Sequence, residues 1–121
     1  IVRNALSNLE VQSIENQKLV LPQQNGTLRL PLKQITHIEG ERNYSYIHLS
    51  NGNKELSSKN LAYFEDILLD KNFYRSHRSY LVNGSHIKEL ADGNFILKNG
   101  MEIPISRRKE TEAKTWFFSL E

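Results

Sequence analysis

Asn-Gly and Asp-Gly dipeptides punctuate the chain at Asn25-Gly26, Asn51-Gly52, Asp92-Gly93 and Asn99-Gly100. These pairs accept the positive φ angles of tight turns, and most stand between short runs that alternate apolar and polar residues, the strongest local signature of a β-hairpin. Lys18-Leu-Val-Leu-Pro22 and Thr27-Leu-Arg-Leu-Pro31 flank the first turn. Ser45, Ile47 and Leu49 alternate with Tyr44, Tyr46 and His48 before the second, which returns into Asn53–Ser58. Ile87–Leu90 and Phe95–Lys98 flank Asp92-Gly93-Asn94, and Asn99-Gly100 feeds Met101-Glu-Ile-Pro-Ile105. With a further strand over Ile35–Glu39, the pattern predicts a mainly β chain of short strands.

Two segments break that rhythm. Asn60–Leu69 places Leu61, Phe64 and Leu68 at helical spacing, with Ser57, Ser58 or Asn60 available as N-cap. Ser106–Leu120 places Ala113, Trp116, Phe117 and Leu120 on one stripe, expected to pack against the sheets. Ser106 reads as its N-cap, which puts Arg107, Arg108 and Lys109 in the first helical turn. Cations there add to the helix dipole's own positive end and favour an anion, so a phosphate contact is expected.

At 121 residues the chain supports one domain with a modest core, and 38% hydrophobic with 25% charged residues fits a globular class. The net charge of +2 is too small to indicate nucleic acid by itself, so position must carry that reading. There is no cysteine, which excludes disulfides, thiolate metal sites and cysteine nucleophiles and is compatible with a cytoplasmic location. No glycine-rich phosphate loop is present, and no second histidine or carboxylate pair has metal-ligand spacing. No catalytic residue, metal or cofactor is therefore expected. The chain begins at Ile1 rather than Met. Residues 1–15 are expected to be a linker or short helix from a missing upstream region, with the domain over residues 16–121.

The densest functional signal is Arg75-Ser-His-Arg-Ser-Tyr-Leu-Val-Asn-Gly84. Tyr80, Leu81 and Val82 are expected to be buried, holding Arg75, His77 and Arg78 on a rigid base and exposed to an anion. Arginine's flat, permanently charged fork suits phosphate and guanine edges. His77 fits either a DNA contact or a ring tying down its own loop. A third cluster, Glu41-Arg42-Asn43-Tyr44, offers Asn for adenine, Arg for guanine and Tyr for phosphate.

Taken together, Phe73-Tyr-Arg-Ser-His-Arg-Ser-Tyr-Leu-Val-Asn83, Ile103-Pro-Ile-Ser-Arg-Arg108, the upstream Ile35–Gly52 block and Leu56–Leu68 resemble the LytTR DNA-binding domain of bacterial response regulators over about residues 16–120. The resemblance implies an elongated stack of small, mostly antiparallel β-sheets with one or two short helices, whose loops enter successive major grooves of double-stranded DNA. It implies base contacts from Asn43 (or Arg42), Arg78 and Arg107. The other members of the three clusters, Arg42, Tyr44, Arg75, His77, Ser79, Arg108 and Lys109, are expected to contact the DNA backbone. The resemblance further implies an upstream receiver or sensor domain. The apolar stripes are few enough to fit one core and no heptad run exists, so the isolated domain is expected to be largely monomeric, with two copies meeting on repeated DNA half-sites. The rival readings are a protein-interaction module using the Trp116-Phe117 stripe and a phosphoryl-transfer enzyme using His77.

Overall fold

The structure, a computed structural model, describes residues 17–23 and 25–120; the linker expected over residues 1–15 lies outside them. The described strands are β1 (Lys18–Gln23), β2 (Gly26–Pro31), β3 (Ile35–Glu41), β4 (Tyr44–Leu49), β5 (Lys54–Ser57), β6 (Phe73–His77), β7 (Tyr80–Asn83), β8 (Ile87–Ala91), β9 (Asn94–Leu97) and β10 (Glu102–Pro104). Helix α1 (Leu61–Ile67) lies between β5 and β6, and α2 (Glu110–Phe118) follows β10. They form a β1-β2 hairpin, a central sheet of order β5-β4-β3-β7-β6 and a third sheet of order β10-β9-β8. Every pairing is antiparallel.

Turn chemistry sets the registers. Asp92 and Gly93 take φ of 53° and 77°, the doubly positive pair of a two-residue hairpin turn, and Ala91 meets Asn94 across it. Asn60 caps α1 as expected, its Oδ1 accepting from the Tyr63 N–H at 3.0 Å.

The central sheet separates two cores, and adjacent residues of β7 supply one each. Leu81 points to the first core, with Ile38, Ile47, Leu61, Phe64 and the β1-β2 leucines. Val82 points to the second, with Phe95, Leu97, Ile103, Ala113 and the half-buried Trp116 and Phe117. Both are fully buried, and Tyr80 is half-buried, so the anchor expected from the sequence is stitched into both sides of the sheet. Asn83 closes β7: its buried amide donates to the Leu32 and Ile35 carbonyls, and its Oδ1 accepts from Ser85. A buried Asn satisfied on both ends fixes the hairpin against β3.

The C-terminal helix differs from expectation. Arg107–Lys109 form a separate 3-10 turn, Ser106 makes no side-chain cap, and α2 begins at Glu110. The first turn of α2 carries Glu110 and Glu112, the sign that the helix dipole favours. The cations therefore stand ahead of the helix rather than within its first turn. The apolar stripe itself packs inward as expected.

Candidate nucleic-acid interface

The loop end of the central sheet gathers the three cationic clusters, and backbone hydrogen bonds hold them in register. The β3-β4 hairpin closes with the Glu41–Tyr44 pair, which leaves Arg42 and Asn43 as its exposed tip. Arg42 adopts φ of 61°, a left-handed conformation uncommon for a residue with a Cβ. Behind the tip, the Gly40 N–H donates to the Ser79 carbonyl at 2.8 Å, and Ser45 Oγ donates to the Lys59 carbonyl at 2.9 Å. A Cβ at Gly40 would stand 3.0 Å from Leu61 Cβ, so this position needs the bare backbone to let α1 approach. Tyr44 is exposed, its ring edge-on to Tyr46.

The β6-β7 hairpin closes with the His77–Tyr80 pair after a bulge between Arg75 and His77. The bulge leaves Ser76 fully buried, with its Oγ donating to the Pro104 carbonyl at 2.9 Å. His77 Nδ1 accepts from the Ser79 N–H at 3.1 Å, which fixes the ring in its own turn and places the neutral ring's proton on Nε2. Arg78 stands exposed at the tip, and Ser79 is half-buried. Tyr80 lies beneath, its ring 5.8 Å from His77; burial, followed by the charges of Glu39 and Glu41, holds its phenol above the usual range, so it stays neutral.

The third cluster hangs from the same bulge. The Ser106 N–H donates to the Ser76 carbonyl at 2.7 Å, which seats the Arg107–Lys109 turn beside β6. Arg107 and Arg108 are exposed. Lys109 is turned inward instead: its Nζ donates to the Arg75 carbonyl at 2.7 Å and lies 5.6 Å from the centre of the Tyr74 ring.

Arg75 departs from its expected exposure. Its Nη1 meets Glu65 Oε1 at 2.8 Å, its Nη2 donates to the Arg78 carbonyl at 2.7 Å, and its Nε is buried without a partner. Only 24% of its side chain is exposed. Among the described residues, Arg42, Arg78, Arg107 and Arg108 enter no ion pair. Arg42, Arg75 and Arg78 line a shallow concavity of about 490 Å³ with Gly40, Ser79 and Asn60–Ala62 at the start of α1. The structure brings Arg42, Arg75 and Arg78 together, and it turns Arg75 and Lys109 inward where the sequence expected exposed cations. Glu65 was the missed partner; it lies in another element, and only a map of tertiary contacts would have linked it to Arg75.

No helix among the described residues is long and apolar enough to cross a membrane, and none of their acidic and histidine side chains form a metal-holding group.

Comparison with known proteins supplies the context. The family model of the LytTr DNA-binding domain matches residues 25–118. The chain is 32% identical over 127 residues to the sensory transduction protein LytT of Oceanobacillus iheyensis, an alignment covering 99% of this chain and 50% of that protein. It is 40% identical over 62 residues to LytT of Bacillus subtilis, covering 47% of this chain and 26% of that protein. The chain therefore spans about half the length of the first of these relatives, or less of the second. Among solved structures, the LytTr DNA-binding domain of a Bacillus cereus protein, titled a methyl-accepting/DNA response regulator, superposes with a TM-score of 0.68 at 23% identity. That superposition covers 84% of this chain and 96% of that one.

Proposed function

The chain belongs to the LytTR family of DNA-binding domains, and from that premise we propose that it binds double-stranded DNA sequence-specifically as the output domain of a bacterial transcriptional response regulator. One observation supports this above the others. Four arginines, at positions 42, 78, 107 and 108, that enter no ion pair among the described residues stand on three turns that are bonded to one another through Gly40–Ser79 and Ser76–Ser106. Free guanidinium groups on a rigid backbone are suited to bidentate base contacts and to phosphates. In this reading Arg78, Arg107 and Asn43 (or Arg42) reach base edges in successive major grooves. Tyr44, His77, Ser79 and Arg108 steady the duplex through its phosphates.

The same reading has the domain act in the cytoplasm as a monomer that pairs on repeated half-sites, with a receiver or sensor domain elsewhere in the full-length protein. The Trp116-Phe117 stripe is spent on the second core, where Trp116 stacks on Tyr74 at 4.8 Å, and this disfavours a docking role for it. The experiment is selection of bound sites from random duplex DNA, followed by fluorescence anisotropy against salt. A selected consensus and a negative log-log salt slope are expected. Equal binding to selected and scrambled duplexes would end the sequence-specific reading. A stable dimer in sedimentation without DNA would end the monomer proposal.

A further inference from the structure

We propose that Arg75 and Lys109 do not touch DNA but act, with Glu65, as a brace that positions Arg78 and the Arg107–Arg108 turn for base contact. This deepens the DNA-binding reading above and rests on it. Arg75 joins all three parts. Its guanidinium ties Glu65 of α1 to the backbone carbonyl of Arg78, and its own carbonyl takes the Lys109 ammonium. Each cation is thereby turned from the solvent into the fold: Arg75 buries its Nε, and Lys109 lies against Tyr74.

A partly exposed ion pair of this kind contributes little to stability. Its value is geometric. A planar guanidinium reading two acceptors on one base tolerates little displacement, and the brace fixes the carbonyl of the very residue that carries that fork.

Removing Glu65 raises the net charge of a DNA-binding surface, which by electrostatics alone should tighten binding to any duplex. If Glu65 serves the brace, Glu65→Ala should instead weaken binding to the selected site by about tenfold, the scale of coupling within one network, and leave a scrambled duplex no more weakly bound. Glu65→Gln, which keeps an acceptor oxygen, should restore most of the preference. In an Arg78→Ala background, Glu65→Ala should cause no further loss, because the brace acts through Arg78. Lys109→Met tests the other arm independently. It should lower preference for the selected site while the salt slope stays unchanged, since no phosphate contact is lost.

The brace is overturned if Glu65→Ala tightens both duplexes, if its effect persists unchanged without Arg78, or if Lys109→Met reduces the slope by about one contact. Wild-type protein that does not distinguish selected from scrambled duplex would refute the DNA reading itself, and the brace with it.

Discussion

The two faces of the central sheet are made by the same strands and obey different chemistry. On one face Ile38, Ile47 and Leu81 meet Leu61 and Phe64 in a core of aliphatic and phenyl groups. On the other, His37 lies fully buried and stacks on His48 at 4.2 Å and 7°. Tyr80 lies 6.1 Å from His37 and 5.8 Å from His77, so a row of rings runs from the sheet to the cationic turn, with Glu39 bonded to His48 at 3.0 Å. The buried cluster of the apolar face holds no titratable side chain, the partly exposed Glu65–Arg75 pair standing outside it, and is expected to be indifferent to pH. The ring-bearing face buries polar groups and is sensitive to it. Each face thus carries an apolar core, and the second adds buried polar groups that respond to pH.

The largest test of this contrast is on the apolar side. Phe64 is fully buried at the centre of the first core. Phe64→Ala should cost about 3–5 kcal/mol, with the lost transfer energy joined by the cavity left behind. Urea unfolding at two pH values measures it, and the penalty should be the same at both. A penalty that changes markedly with pH would mean the faces are not separable.

Next in size is Arg78→Ala, which should weaken the selected site by about 1–3 kcal/mol and relax preference at particular base pairs. Stability should move by no more than about 0.5 kcal/mol, because the side chain is exposed and its carbonyl, which Arg75 holds, survives the change. Anisotropy and thermal melts on one sample separate the two. Uniform weakening across all sequences would reassign Arg78 to a phosphate.

The asymmetry between the faces also explains what the sequence disclosed. Hairpins were legible because Asn-Gly and Asp-Gly carry their turn geometry locally, and the burial of Leu81 and Val82 was legible as an apolar run. The inward turn of Arg75 was not. It depends on Glu65 ten residues away in another element and on a bulge that breaks the alternation of β6 at Ser76. The 3-10 turn over Arg107–Lys109 was missed for a related reason. Arg-Arg-Lys-Glu-Thr-Glu-Ala-Lys reads as one continuous helix, and what interrupts it is the tertiary bonding of Ser106 and Lys109 to β6. Nor does local pattern announce that His37 will be enclosed, because it stands on β3 where residues of both faces are buried.

That enclosure yields the third test. Burial first, and then the neighbouring His48, lower His37 from the usual 6.5 to about 3. Below pH 6.5 the unfolded chain takes up a proton that the folded chain refuses until near pH 3. The stability owed to neutral His37 is therefore complete above about pH 6.5 and is lost as pH falls from there toward 3, at up to about 1.4 kcal/mol per pH unit. Denaturation between pH 7 and pH 4 should show this slope, and His37→Leu should flatten it. An unchanged slope in the variant would assign the acid sensitivity elsewhere.

The smallest effect is the most diagnostic of the exposed end. Arg42 holds φ of 61° at the tip of the β3-β4 hairpin, where a Cβ crowds its own backbone. Glycine occupies that region without penalty, but it also gains freedom in the unfolded chain, which offsets part of the relief. Arg42→Gly is therefore expected to stabilise the fold by about 1 kcal/mol or less, within the range set by strain at such positions. The side chain enters no ion pair among the described residues, so no such pairing is lost with it. A strained residue that the fold does not need is explained if the guanidinium at the tip serves DNA. The variant should then melt higher and bind the selected duplex more weakly. If Arg42→Gly lowers the melting temperature, the turn depends on the arginine, and Asn43 is left as the stronger candidate for that loop's contact with the bases.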